Sequence, residues 1–189
     1  MSVTSSWGPG EGQTPERVHT SVAFFRNLNL GQRRSCSPTR PELLEAFEHA
    51  GARSATSFQV NGTVIFEADG DPQRLANRAV ELLTPVCGYD DAVLARPVSW
   101  ILELDLDEVV PNAEVSFFDA PFFPESLPWT PGTGGLSVVR ADGRHAVSVN
   151  DIERTSGATW ALEKLLGVPV TSRGVPTMRR LTAKLRAAD

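Results

Sequence analysis

Two cysteines in 189 residues, Cys36 and Cys87, cannot make a disulfide framework. No apolar run approaches the roughly 20 residues that span a bilayer, so no membrane partner is expected. The opening MSVTSSWGPGEGQTPER lacks the charged-then-apolar layout of a secretory signal, and the cytoplasm is the expected compartment. The three histidines, His19, His49 and His145, stand far apart, and none has metal-ligand spacing to another His or Cys. No metal is expected. Gly-x-Ser-x-Gly, the phosphate-binding loop and the dinucleotide glycine pattern are missing too, which argues against the common hydrolases, NTPases and NAD enzymes. No cofactor is expected.

Positive charge is also missing where it could have been. From Pro97 to Val139 there is no Lys or Arg, while Glu103, Asp105, Asp107, Glu108, Glu114, Asp119 and Glu125 fall there. The arginines gather elsewhere, at Arg26, Arg33, Arg34 and Arg40 and again at Arg173, Arg179, Arg180 and Arg186. With a net charge of −5 the chain is a poor general binder of nucleic acid, although a local anion site is compatible with it. A hydrophobic fraction of 41% is enough for a packed core, and the length fits one domain or two small ones.

Residues 1–17, rich in Gly, Ser, Pro and Thr, read as a disordered tail. Strand composition follows over Ser21–Phe25. Thr39-Arg40-Pro41-Glu42 has the pattern of a capping box opening a helix that stops at Gly51. Asn61-Gly62 predicts a hairpin between strands Ala55–Val60 and Thr63–Glu67. Asp71-Pro72 opens a second helix, expected to end at Pro85 and Gly88, and Ala92–Ala95 is a short strand. The order is β-α-β-β-α-β. Trp100–Asp107 reads as strand or helix. Strands are expected at Ala113–Asp119, at Leu136–Val139 and His145–Val149 around Asp142-Gly143, and at Val168–Ser172. Helices are expected after a Thr155 or Ser156 cap and after Pro176, and the proline-rich stretch 121–135 reads as loop. The expected fold is therefore α+β with two ferredoxin-like (β-α-β-β-α-β) halves, 18–97 and 98–189, the second degenerate.

Three segments carry a family resemblance. FFRNLNLGQ resembles the LRGINVGG opening of the bacterial domain of unknown function 1697, SFQVNGTVIF is similar to its YIQSGNVVF, and VTSRGVPTMRRLTAKL to its ATARNWNTVRKLAEL. In register, Arg26, Asn29, Gly31, Gly62, Phe66, Arg173 and Thr177 match. Val60-Asn61-Gly62-Thr63 stands for the family's Gln-Ser-Gly-Asn, and Arg173-Gly174-Val175-Pro176 for its Arg-Asn-Trp-Asn. Several amide side chains that could bind a ligand are gone, so this divergent member has changed its ligand or lost one. The resemblance implies ferredoxin-like halves and no established activity.

Each candidate group has a structural alternative. Cys36, between arginines and serines, is a nucleophile or an idle loop thiol, and Cys87 reads as a small core residue. His49 reads as solvated, and His145 as a core-edge histidine rather than a general base. Glu103, Asp105 and Asp107 would share one face of a strand, as Mg²⁺ ligands or as a charged edge. Phe24, Phe25, Phe117 and Phe118 could stack on RNA from a sheet face, but they lie in no RNA-binding signature and read as core. Arg26, Asn29, Gly31, Arg173 and Thr177 are the expected ligand-binding residues, converging on a cleft that holds a carboxylate or phosphate. The alternative puts each arginine in a separate structural pair. Phe122, Phe123 and Trp129 are expected to form a lid or a partner face. Three functions are open: a binder of a small anionic ligand, a cofactor-independent enzyme using the same cleft, and a partner-binding adaptor. The oligomeric state is not legible.

Overall fold

Local signals build the first sheet much as the sequence suggests. In the computed structural model, which describes residues 19–106, 108–131, 135–150 and 157–188, β1 is His19–Phe25 and α1 is Arg40–Ala50. The α1 start is held by Glu42 Oε2, which accepts from the Thr39 amide at 2.8 Å. Hairpin strands β2 (Ser54–Phe58) and β3 (Thr63–Ala68) follow. Helix α2 (Pro72–Cys87) is capped by Asp71, whose Oδ1 accepts from the Gln73 amide at 2.9 Å, and β4 is Val93–Pro97.

Several boundaries differ from expectation, β1 among them, which begins at His19 rather than Ser21. The β2–β3 connection is a four-residue turn, because Gln59 as well as Gly62 takes positive φ (60° and 63°). Helix α2 runs through Pro85 to a left-handed cap at Gly88; near its end the missing amide costs little. Trp100 belongs to a short helix α3 (Val98–Leu102), with Leu104 and Leu106 buried beyond it, so the Glu103–Asp105 alternation is not a strand. Asp107, the 1–17 tail and the proposed caps Thr155 and Ser156 lie outside the described residues.

The second sheet comes from β5 (Ala113–Phe117), β6 (Leu136–Ala141), β7 (His145–Asn150) and β8 (Thr171–Gly174). Strand β8 falls three residues later than expected at its start. Helix α4 (Ala158–Leu166) precedes it, capped by Gly157, and α5 (Val175–Arg186) follows. The described residues thus hold two four-stranded antiparallel sheets, β2-β3-β1-β4 and β6-β7-β5-β8, and five α-helices. Between β5 and β6 the described residues form no helix.

Alternation along the strands sorts the side chains into three cores. Ala23, Phe25, Val64 and Phe66 face α1 and α2. Val22, Phe24 and Leu94 face Val115, Phe117 and Val147 of the other sheet, with α3 and α5 closing that core. Phe24 and Phe117 stack across it with centroids 4.4 Å apart. On the far side of the second sheet, Leu136, Val138 and Ala146 pack against α4 and Phe122. The four phenylalanines raised as RNA platforms are fully buried.

Candidate functional site

Of the residues matching the family pattern, Arg173 and Gly62 meet, while Asn29, Gly31 and Thr177 make their contacts elsewhere, and the arginine donors are occupied by the protein. Arg173 sits on the inner face of β8 and reaches across to the first sheet. Its Nη2 donates to the carbonyls of Phe25 (2.9 Å), Asn61 (2.8 Å) and Gly62 (3.2 Å), and its Nε to Thr63 Oγ1 (3.1 Å). Nη1 donates to Thr171 Oγ1 and the Ser172 carbonyl. The three resemblance segments therefore meet on one guanidinium. Burial without a carboxylate partner pulls its pKa down to about 10, which leaves it charged at neutral pH.

Arg26, just past β1, makes the second link. Its Nε and Nη2 hold both oxygens of Glu163 on α4 (2.6 and 3.0 Å), and its Nη1 holds Asp91 (2.8 Å). Burial pushes the Glu163 carboxyl up, but the bonds from Arg26 and the Val170 amide, with the arginine charge, outweigh it and leave the pKa below its ordinary value. Asn29 is exposed; its backbone amide donates to Ser37 Oγ at 3.2 Å and its carbonyl accepts from the Gln32 amide at 3.2 Å. Gly31 donates its amide to the Pro38 carbonyl, and Thr177 lies half-buried in the first turn of α5, with Oγ1 accepting from Arg180. An anion shared by Arg26 and Arg173 would have to displace Asp91, Glu163 or the main-chain carbonyls.

The aromatic trio divides. Phe122 is buried against Phe118 and Trp129, and Trp129 pairs its backbone with Val138 at the β6 edge (2.8 and 2.7 Å), so these two cover the core that α4 leaves open. Phe123 is 74% exposed.

Two features were not legible in the sequence. The first is a groove of about 630 Å³ between the inner face of the first sheet, α3 and α5. Thr20, Ser54, Thr56, Ile65 and Glu67 floor it; Ser99 lines it from α3 and Lys184 from α5. The hydroxyls of Thr20, Ser54, Thr56 and Ser99 are exposed at the groove and bond to no other described residue, which leaves them open to solvent or ligand. The second is a buried polar cluster at the β6–β7 turn. His145 faces the Asp142 carboxylate through Nδ1 and meets Trp100 edge-on at 5.1 Å. Beside it Arg96, also buried, donates to Asp119 (2.8 Å) and the Phe118 carbonyl (2.8 Å) and lies over the Trp100 ring. Burial keeps the His145 pKa below its ordinary value despite Asp142, so the ring is neutral near pH 7. No group of three or more His, Cys, Asp or Glu among the described residues could hold a metal ion. No described helix is long and apolar enough to cross a membrane.

The architecture defines a mixed α/β protein with two antiparallel sheets packed face to face. Residues 18–107, which span the whole first sheet, match the model of the family described as protein of unknown function, DUF1697. A solved structure, that of a conserved bacterial protein from Streptococcus pneumoniae, superposes with a TM-score of 0.61 at 13% sequence identity, covering 90% of this chain and 99% of that one. At that identity the likeness is one of fold. No curated protein matches the chain.

Proposed function

We propose that the chain is a cytoplasmic small-molecule-binding protein made of two ferredoxin-like units, dividing after Pro97, whose ligand lies in the groove between the first sheet and α5. The equivalent strand orders of the two sheets support the two-unit reading. The carrying observation for the site is the set of four hydroxyls without protein partners lining one groove of about 630 Å³, a volume suited to a small ligand. Lys184 supplies a cation for a carboxylate or phosphate, while Glu67 accepts from ligand hydroxyls. The ligand class is a hydroxylated organic acid or a sugar phosphate. The anion site at Arg26, Asn29, Gly31, Arg173 and Thr177 is the weaker placement, since its guanidinium groups already hold acceptors.

A thermal-shift screen of organic acids, phosphosugars and nucleotides tests the reading. Hits should disappear in Thr56→Trp, which fills the groove, and weaken in Lys184→Gln. A hit indifferent to both substitutions, or a screen with no hits, counts against the groove. A second reading, a partner-binding surface, rests on exposed Phe123 and Leu127.

A further inference from the structure

The chain's two thiols, distant in sequence, are brought to one place. Cys36 closes the short 3₁₀ turn Arg33–Ser35 in a left-handed conformation (φ 54°), with its side chain exposed. Cys87 is the last residue of α2, half-buried, and Gly88 caps the helix directly after it. A β-carbon placed on Gly88 would stand 3.4 Å from Cys36 Sγ and 3.8 Å from Cys36 Cβ. Cys36 therefore packs against the residue that directly follows Cys87. Cys87 Sγ is meanwhile turned back along the helix, donating to the Leu83 carbonyl at 3.4 Å. Pro85, two residues earlier, offers no amide to the helix, so the turn that carries Cys87 is tied by fewer backbone bonds than an ordinary helix end. Closing a bond between the two sulfurs requires Cys87 Sγ to leave the Leu83 carbonyl and turn toward Cys36.

We propose that Cys36 and Cys87 are a redox pair that closes to a reversible intramolecular disulfide when the chain meets a hydroperoxide. Cys36, the exposed thiol, reacts first. Its sulfur forms a bond to a peroxide oxygen as the O–O bond breaks; the leaving hydroxide takes the thiol's proton and departs as water. The sulfur, oxidised by two electrons, is then a sulfenic acid. Cys87 sulfur attacks it, the S–S bond forms, the S–O bond breaks, and a second water carries away the hydroxyl and the Cys87 proton. Two thiols and one peroxide thus give one disulfide and two waters. The bond would tie the basic 33–36 turn to the end of α2. Freshly reduced full-length chain treated with a small excess of hydrogen peroxide tests this. Free thiols should fall from two per chain to none. The intact mass should drop by two hydrogens, one cross-linked pair of tryptic peptides should contain Cys36 and Cys87, and dithiothreitol should restore the thiols. Cys36→Ser and Cys87→Ser should each block the mass loss and instead add oxygen, or couple to supplied glutathione. Wild-type thiols lost only as oxygen adducts or as covalent dimers would overturn the pairing. So would thiols that survive the peroxide.

Discussion

Replacing Arg173 by methionine tests whether the two sheets are joined by its donors. Methionine keeps the aliphatic bulk and removes every N–H. Of the three carbonyls served by Nη2, that of Gly62 also accepts from the Phe25 amide at 2.8 Å and stays satisfied. The Phe25 carbonyl keeps only a 3.5 Å contact from Thr171, and the Asn61 carbonyl keeps no protein donor among the described residues. A buried acceptor left without a donor costs about 1–3 kcal/mol, so the two together cost about 2–6 kcal/mol. Removing a buried charge that has no carboxylate partner offsets part of this. The expected net loss is about 2–4 kcal/mol, large against a total stability of about 5–15 kcal/mol. Urea unfolding followed by tryptophan fluorescence should show a lower midpoint at unchanged slope. Arg173→Lys keeps the charge but not the fork, and should recover only part of the loss. If Arg173→Met loses less than about 1 kcal/mol, the side chain does not hold the joint.

Glu163→Gln should cost about 1–2 kcal/mol at pH 7, since it unmakes a half-buried two-oxygen pair with Arg26. The Glu163 carboxyl lies below its ordinary 4.5 in the folded chain, so its contribution is complete above that pH and fades as pH falls through the folded value. The variant's stability should therefore decline less on acidification below about pH 4.5, as read by urea midpoints at stepped pH. Gly62→Ala should cost about 2–4 kcal/mol, because φ is +63° and the new methyl would stand 2.9 Å from the β-carbons of Phe25 and Leu28; thermal melting checks it. Phe122→Ala should lose about 3–5 kcal/mol, whereas Phe123→Ser should change stability by no more than about 0.5 kcal/mol.

What the sequence disclosed was whatever short-range chemistry decides. Thr39 with Glu42 and Asp71 with Pro72 start helices because their bonds close within three residues, and both starts stand where the pattern put them. The hairpin at Asn61-Gly62 was visible for the same reason, but its turn type was not. The Val60 carbonyl accepts from the Leu30 amide and Phe25 donates to Gly62, so contacts distant in the chain set the turn's shape. The arginines show the same divide. Their positions matched a pattern, yet the partner of Arg26 lies 137 residues away on α4, and no spacing rule reaches that far. The open groove belongs equally to β1, β2, β3, α3 and α5, and no single segment carries its signature.

The joint at Arg173 also accounts for how the chain departs from its relatives' pattern without losing the architecture. Every first-sheet group that Nη2 holds is a main-chain carbonyl, at Phe25, Asn61 and Gly62. Main-chain acceptors do not depend on which side chain the residue carries, so the hairpin can exchange amide side chains for Val60, Asn61 and Thr63 while the guanidinium keeps its fork. Gly62 has no such freedom, because any side chain there would meet Phe25 and Leu28. Thr63 adds its hydroxyl to the same guanidinium through Nε. Of the seven positions that match the family pattern, Arg26, Gly62 and Arg173 are those that link the two halves. A buried, fully engaged arginine is poorly suited to release its acceptors for a ligand, since each freed carbonyl carries the desolvation cost just estimated. The proposed ligand site therefore lies apart from this joint, in the groove beneath α5, where the hydroxyls of Thr20, Ser54, Thr56 and Ser99 hold no protein acceptor or donor among the described residues.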